Sequence, residues 1–131
     1  MAKTKTNNWF LKLKNTLLYS GYEVILTSVP QNGGTGKRGT RHRAAKGYIV
    51  PDELKIFINR RIGINDRVIT LVHELMHEIY PNWQEPRVER ESKKVFRGLT
   101  VPQLGFFQFF VMTKGEIQSA LKRQQIHSPL C

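Results

Sequence analysis

The hydrophobic positions of the chain change spacing along its length, and each spacing predicts a different element. Large apolar side chains near the start recur at helical intervals and predict an N-terminal helix that ends near Ser20 and Gly21. Two compact runs rich in β-branched residues, 22–29 and 55–59, predict strands, and a shorter run at 48–50 predicts a third. The helical positions are Trp9, Phe10, Leu13, Leu17 and Leu18.

The stretch 65–81 has apolar residues over most of its helical circumference and therefore predicts a largely buried helix. Asn65 or Asp66 is expected to cap its start, and Pro81 is expected to end it. Its polar side chains form one stripe and need partners once the helix is buried. The stripe consists of Thr70, His73, Glu74 and His77.

A second helix is predicted to return beside the first. The stretch 85–99 has Pro86 in its first turn, acids early, bases late and Gly98 near its end, all of which are usual at helix termini. A tight turn at 81–84 joins the two helices, so we expect them to run antiparallel. The apolar face of the second helix is made by Val88, Val95, Phe96 and Leu99.

The last part of the chain predicts helices that cover the core. The phenylalanine-rich stretch 102–112 is interpreted as a packing helix, and Thr113 with Glu116 has the spacing of a capping box that opens a last helix. Together with the N-terminal helix and a small, mostly antiparallel sheet, this order predicts an α+β fold. Residues 100–126 then form a C-terminal helical extension.

Length and cysteine content limit the class of protein. The 131 residues are expected to form a single domain, 1–131, large enough to bury a core without disulfides. The lone cysteine, Cys131, excludes an internal disulfide framework and favours a reducing compartment. The N-terminal stretch lacks the apolar core of a signal peptide, and no run approaches the ~20 apolar residues of a membrane span. We therefore expect a cytoplasmic protein.

Positive charge is concentrated in the first third of the chain. The net charge is +11, and residues 1–46 carry nine lysines and arginines against one acid, Glu23. Part of this charge lies in a glycine-rich loop, 31–46, which we expect to be flexible and which does not match a Walker motif. Its cations are candidates for contact with nucleic acid or an acidic partner, although a mobile solubilising loop explains the same composition. They are Lys37, Arg38, Arg41, Arg43 and Lys46.

Residues 73–77 form an HExxH motif on the predicted buried helix. One helical turn is about 3.6 residues, so His73 and His77 project from the same side and are spaced to bind one metal ion. Glu74 stands where it can act as general base toward a metal-bound water. Ordinary surface or hydrogen-bonded histidines are the alternative; the buried setting and the acid between the two imidazoles favour a metal.

A catalytic zinc needs a third protein ligand, and the residues after the motif offer carboxylates. Trp83 occupies the place of the third histidine of the HExxHxxGxxH pattern, and the only cysteine is terminal. The second helix runs antiparallel to the first and rises about 1.5 Å per residue, so Glu89 should lie level with the two histidines. Glu85 lies at the start of this helix, and its side chain should point towards the N-terminus, away from the metal. We predict Glu89 as the third ligand, with Glu85 as the substitute or as a partner of a ligand. Glu78 and Glu91 are expected in solvent.

HExxH followed by a glutamate on the next helix resembles the gluzincin branch of zinc metallopeptidases. In size and layout the chain is similar to the minimal gluzincins and to ImmA/IrrE-type metallopeptidase domains, over residues 56–99. The run 89–92 is similar to the Glu-x-Glu-Ala-Asn/Asp run that carries the metal glutamate in ImmA/IrrE-like chains, with Lys93 in place of the Asn or Asp. The resemblance implies a compact zincin-like domain and again favours Glu89. The SprT-like zinc proteases are a second resemblance, although their third histidine has no counterpart here.

These features predict a zinc-dependent metallopeptidase that binds one Zn²⁺ per chain through His73, His77 and Glu89. In this hypothesis Glu74 is the general base and Tyr80 is a candidate donor to the oxyanion that forms during peptide hydrolysis. The alternative is a basic protein that binds nucleic acid or another partner and whose zinc site is structural or latent. The intact Glu74 favours the peptidase, because a structural site needs no base, while the basic first third favours the alternative.

Overall fold

The structure, a computed structural model, describes residues 2–28 and 46–127, and the side chains of residues 8–28 and 46–123. The described residues form helices and a three-stranded sheet, so the predicted α+β class is confirmed. None of the described helices is both long and apolar enough to cross a membrane. In chain order the elements are α1 (Ala2–Tyr19), β1 (Glu23–Thr27), β2 (Gly47–Val50), β3 (Lys55–Asn59), α2 (Ile64–Ile79), α3 (Glu85–Gly98), α4 (Val101–Phe110) and α5 (Lys114–His127).

The sheet is mixed rather than mostly antiparallel, which corrects the prediction from the sequence. Its order is β1-β3-β2: β1 pairs with β3 in parallel, with Glu23 opposite Lys55, and β2 pairs with β3 antiparallel. A short turn, Pro51–Glu53 followed by Leu54, joins β2 to β3, and tight connections give antiparallel neighbours. β1 is separated from β3 by a longer connection, which parallel pairing requires.

Helix α2 lies at the centre of the described structure. It packs against the sheet, α1, α3 and α4, and the apolar side chains along most of its length are fully buried. The predicted buried helix is therefore confirmed. The apolar core consists of Leu13, Leu17, Tyr22, Ile56, Ile58, Val68, Leu71, Val72, Leu75, Met76, Val88, Val95, Phe107 and Val111.

The start of α2 differs from the prediction. Asn65 and Asp66 do not cap it, because the helix begins earlier, with Gly63 as an N-cap that makes no side-chain hydrogen bond. The first turn closes when the Arg67 N–H donates to the Gly63 carbonyl at 2.9 Å. Glycine is a common residue at the N-cap position, so α2 can begin at Gly63 without a side-chain cap from Asn65 or Asp66.

Two capping boxes begin the helices that follow α3. Thr100 and Gln103 cap α4. The predicted box at the start of α5 is confirmed: the Thr113 N–H donates to Glu116 Oε1 at 2.8 Å, and the Glu116 N–H donates to Thr113 Oγ1 at 3.1 Å. Both satisfy backbone N–H groups that would otherwise lack partners.

Arg67 is a buried cation whose side-chain donors are all used. Its side chain is only 6% exposed. The guanidinium donates to the carbonyls of Arg60, Ile62 and Val111 and, through two nitrogens, to both carboxylate oxygens of Glu116, at 2.7–3.0 Å. These bonds tie the connection before α2 to the turn between α4 and α5. This network could not be predicted from the sequence, because its acceptors come from separate segments of the chain.

The close approach of β2 to α2 predicts a stability effect at Gly47. A Cβ there would lie 2.6 Å from the Phe57 carbonyl oxygen and 2.6 Å from Thr70 Cγ2. Gly47→Ala is therefore expected to destabilise the protein by about 1–3 kcal/mol, as overpacking does. Gly105→Ala in α4 is the control: its added methyl meets nothing within 4 Å, so we expect a neutral or slightly stabilising change. Urea unfolding measures both, and equal stabilities would contradict the close approach.

The Arg67–Glu116 pair predicts a pH dependence of stability. Hydrogen bonding by Arg67 lowers the pKa of Glu116 from 4.5 to about 2. Because the folded pKa lies below the unfolded one, the contribution is complete above about pH 4.5 and is lost as the pH falls towards 2. Glu116→Gln is expected to lower the free energy of unfolding by roughly 1 kcal/mol at pH 7, less than the ~1.5–3 kcal/mol of a buried charged hydrogen bond, because the carboxylate is partly exposed. Urea unfolding measures the difference in free energy of unfolding between wild type and Glu116→Gln, which should be smaller at pH 3 than at pH 7. An unchanged difference would argue against a lowered pKa of Glu116.

Candidate metal centre

Two imidazoles of α2 meet at their Nε2 atoms. His73 and His77 lie one helical turn apart, with their Nε2 atoms separated by 3.2 Å and their rings edge to face. The side chain of His73 is 14% exposed and that of His77 is 30% exposed. The pair therefore lies at the border of the core, with one side open to solvent.

Glu85, the first residue of α3, completes the group. One of its carboxylate oxygens lies 2.8 Å from His73 Nε2, and the other lies 2.9 Å from His77 Nε2. The ligand atoms of the three side chains all lie within 4.8 Å of one another. The turn after α2 is short, and its Trp83 N–H donates to the Tyr80 carbonyl at 3.0 Å, so α3 begins beside the last turn of α2.

Glu89, the third ligand predicted from the sequence, faces a different atom. Its nearest contact with the group is 4.0 Å, to Nδ1 of His73, and its carboxylate lies 3.5 Å from Lys93 Nζ. The two imidazoles therefore lie level with an earlier part of α3 than the helix lengths predicted. His77 is itself near the end of α2, so the returning helix is already level with it at Glu85. Glu85 thus lies beside the Nε2 atoms of both imidazoles, whereas Glu89 lies on the opposite side of the His73 ring, near its Nδ1.

The sequence contains a signal for Glu85. The buried positions of α3 are Val88, Ser92 and Val95, which define its inward side. Glu85 precedes Val88 by three residues and Ser92 by seven, spacings that repeat on one helical side, whereas Glu89 lies about 100° round from Val88. If Ser92 is counted with Val88 and Val95 as part of the buried side of α3, the sequence favours Glu85 over Glu89 as the third ligand.

The donor set fits a zinc ion. Two imidazole nitrogens and one carboxylate are typical ligands of catalytic zinc, and in a tetrahedral site with bonds of ~2.0–2.2 Å such atoms stand ~3.3 Å apart. Here the corresponding distances are 2.8–3.2 Å, and electron-rich atoms so close repel unless a cation or protons lie between them. Burial lowers the pKa of His73, although Glu85 opposes this shift, and the neutral imidazole is the form that binds a metal.

Glu74 lies beside this group in a nearly dry position. Its residue is 8% exposed, and none of the hydrogen bonds of the described residues reaches its carboxylate. Burial raises the pKa of Glu74 to about 8, and the charge of Glu85 adds to the shift. Since none of the described buried side-chain oxygens and nitrogens lacks a partner, the Glu74 carboxylate keeps some contact with solvent. Acids whose pKa is raised in this way by burial are concentrated at functional sites.

Tyr80, the predicted candidate for an oxyanion donor, has another partner. Its hydroxyl accepts a hydrogen bond from Lys12 Nζ at 2.9 Å. Its ring stacks on Trp83 with centroids 4.1 Å apart, and Trp9 packs edge-on at 5.3 Å. This aromatic cluster holds the end of α2 against α1, and a role of Tyr80 toward substrate stays a prediction.

Glu78 and Glu91, both expected in solvent from the sequence, differ from each other. Glu78 is exposed, but its Oε1 accepts a hydrogen bond from the Tyr22 hydroxyl at 2.9 Å. Burial, together with this bond, raises the pKa of Tyr22 to about 12. Glu91 is half-buried, which corrects its expected position in solvent. The Tyr22–Glu78 bond joins the chain before β1 to the turn of α2 that carries His77.

The basic loop predicted at 31–46 lies outside the described residues, apart from its last one. Lys46 is exposed, and its carbonyl accepts a hydrogen bond from the Asn59 N–H at 2.8 Å. The contacts predicted for Lys37, Arg38, Arg41 and Arg43 therefore stay predictions from the sequence.

Comparisons with known proteins leave the site to be interpreted from its own geometry. No protein-family model matches the sequence, and no curated protein or solved structure is significantly similar to the chain. The resemblance to the gluzincins therefore rests on the HExxH motif and a glutamate on the following helix, and it stays a prediction.

The geometry predicts different effects for the two glutamates of α3. Glu85→Gln is expected to reduce zinc affinity more than about 100-fold, because it removes a ligand, while Glu89→Gln, which alters only the surroundings of a ligand, should reduce it by about 10-fold or less. Zinc titration against a competing chelator measures both, and the identical chemical change makes Glu89→Gln the matched control. A larger loss of zinc affinity in Glu89→Gln would instead support Glu89 as the third ligand.

Proposed function

We propose that the protein is a zinc-dependent metallopeptidase of the gluzincin type, in a cytoplasmic setting. The observation that carries this proposal is the convergence of His73 Nε2, His77 Nε2 and the Glu85 carboxylate next to the buried Glu74. Each of these residue types has a distinct task in metal-assisted peptide hydrolysis, and here they lie on two packed helices rather than on separate loops.

In this mechanism His73, His77 and Glu85 hold the ion. When bound, zinc supplies positive charge that favours the carboxylate form of Glu74 and acts as a Lewis acid toward water and the scissile carbonyl. Glu74 accepts a proton from the attacking water and delivers it to the leaving amine. Its rigid position on a buried helix keeps the carboxylate aligned for both transfers.

The number of ligands supports a catalytic site over a structural one. Structural zinc sites are closed by four protein ligands, whereas catalytic sites keep one position open. Among the residues that the structure describes, only His73, His77 and Glu85 form the group. The side chain of Glu85 is 63% exposed, so the open side of the group is accessible to a substrate.

If Glu85 is the third zinc ligand, the resemblance to ImmA/IrrE-type chains at residues 89–92 no longer includes the metal ligand itself. The run 89–92, which is similar to the metal-glutamate run of ImmA/IrrE-like chains, then contributes Glu89 beside His73 Nδ1 instead of a ligand. At 4.0 Å this contact is ionic and too long for a hydrogen bond, so Glu89 adds negative charge beside the imidazole without fixing its orientation. The proposal therefore keeps the gluzincin order of HExxH and a following glutamate, with the ligand one turn earlier.

A second candidate function is supported by charge. The net charge of +11 favours a protein that binds nucleic acid or an acidic partner and whose zinc is structural or latent. The two proposals differ in one respect that can be measured: only the peptidase needs Glu74 as a base.

Replacement of Glu74 tests the peptidase directly. Glu74→Gln is expected to retain zinc and to lower cleavage of a degenerate fluorogenic peptide library by about 10²–10⁴-fold, the usual contribution of a general base. Glu91→Gln, the same change away from the group, should leave cleavage unaltered. Zinc-loaded wild type that cleaves no peptide in the library would count against the peptidase and favour the structural or latent site.

A further inference from the structure

Helix α3 carries a row of cations on the side that faces away from Glu85. Arg87, Arg90, Lys94 and Arg97 are all exposed and follow one another at intervals of three, four and three residues. At about 100° per residue these positions fall within about 80° of the helix circumference, and they extend over roughly 15 Å. We refer to these four residues as the α3 basic row.

The α3 basic row has no acidic partner within the described structure. None of the ion pairs among the described residues includes any of the four cations. Two residues flank the row: Glu91, half-buried on one side, and Lys93, whose ammonium already pairs with Glu89 at 3.5 Å. Like charges three or four residues apart on a helix repel, so the row does not stabilise the isolated chain.

One member of the row is held in place by an aromatic ring. The guanidinium of Arg87 lies 3.9 Å from the centroid of Trp83, which also stacks on Tyr80 and packs edge-on against Trp9. Stacking fixes the plane of the guanidinium and leaves its N–H groups available at the ring edge. The aromatic cluster continues to Lys12 on α1, so the positive surface extends beyond α3.

We propose that the α3 basic row binds the phosphate backbone of a nucleic acid. A straight row with one cation per turn matches a linear polyanion, and three of its four members are arginines, which bind phosphate through paired N–H groups. The exposed side between them has no aromatic or aliphatic anchor of the kind that dominates protein–protein interfaces. Contacts of this type carry affinity without base specificity. The proposal is independent of the metal centre.

The test compares two variants that remove the same charge. In the first, Arg90, Lys94 and Arg97 of the row become glutamine; Arg87 is left because it packs on Trp83. In the second, the exposed cations Lys114, Lys122 and Arg123 of α5 become glutamine. Fluorescence anisotropy with a labelled 20-base-pair DNA duplex at several salt concentrations gives the affinity and its salt dependence. For the row variant we expect at least a tenfold loss of affinity, together with a salt slope that is smaller by about 0.9 for each phosphate that the protein no longer neutralises. The α5 variant should change both much less.

Three outcomes would overturn the assignment. Equal losses in both variants would indicate a response to net charge alone. Loss confined to a third variant, with Arg38, Arg41 and Arg43 neutralised, would move binding to the loop predicted from the sequence. Equally tight binding of polyglutamate of matched charge would replace nucleic acid by an acidic protein. A wild-type far-ultraviolet circular dichroism spectrum and an unfolding midpoint no lower than that of wild type verify that the fold of each variant is intact, and neither zinc nor peptidase activity plays a part in the result.

Discussion

Helix α2 is packed on all sides but one, and a helix in that position can carry polar side chains only where each finds a partner. Arg67 near its start uses every donor of its guanidinium, and the Thr70 hydroxyl donates to the helix backbone at 2.8 Å. The two imidazoles of the HExxH motif share the carboxylate of Glu85. Glu74 is the exception among these polar groups, since no described residue donates to it. Its carboxylate keeps some contact with solvent, since none of the described buried side-chain oxygens and nitrogens lacks a hydrogen-bond partner. A largely buried acid with a raised pKa is the kind of local conflict that function, rather than folding, explains.

Periodicity in the sequence was sufficient to predict the elements. The apolar spacing in 9–18, the β-branched run at 55–59 and the encircling apolar pattern of 65–81 correspond to α1, β3 and α2. These signals are local, because each depends on side chains that one helix or strand buries along its own length. The HExxH motif is local in the same sense, since residues four apart share a side of any helix. The sequence alone was therefore sufficient to place both histidines and Glu74 together in the candidate site.

What the sequence did not provide depends on contacts between segments. The parallel pairing of β1 with β3 is set by the route of the chain between them, and strand composition carries no information about order. The bonds of Arg67 join residues up to 49 positions apart, to Glu116, and a buried arginine looks like any exposed one in a sequence. The choice between Glu85 and Glu89 depends on where α3 starts relative to α2, a shift of one helical turn that length arguments resolve poorly.

The charges of the protein fall into two kinds. The positive charge of Arg67 is met inside the fold by Glu116 and by backbone carbonyls, so it contributes to stability. Burial raises the pKa of Glu74, and Glu85 on the inner side of α3 adds to this shift. The outer side of α3 carries a row of cations that repel one another. Neither arrangement favours the folded chain by itself. In the two proposals made above, a metal cation would relieve the first and a nucleic acid would relieve the second, so that one helix would face ligands of opposite charge from its two sides.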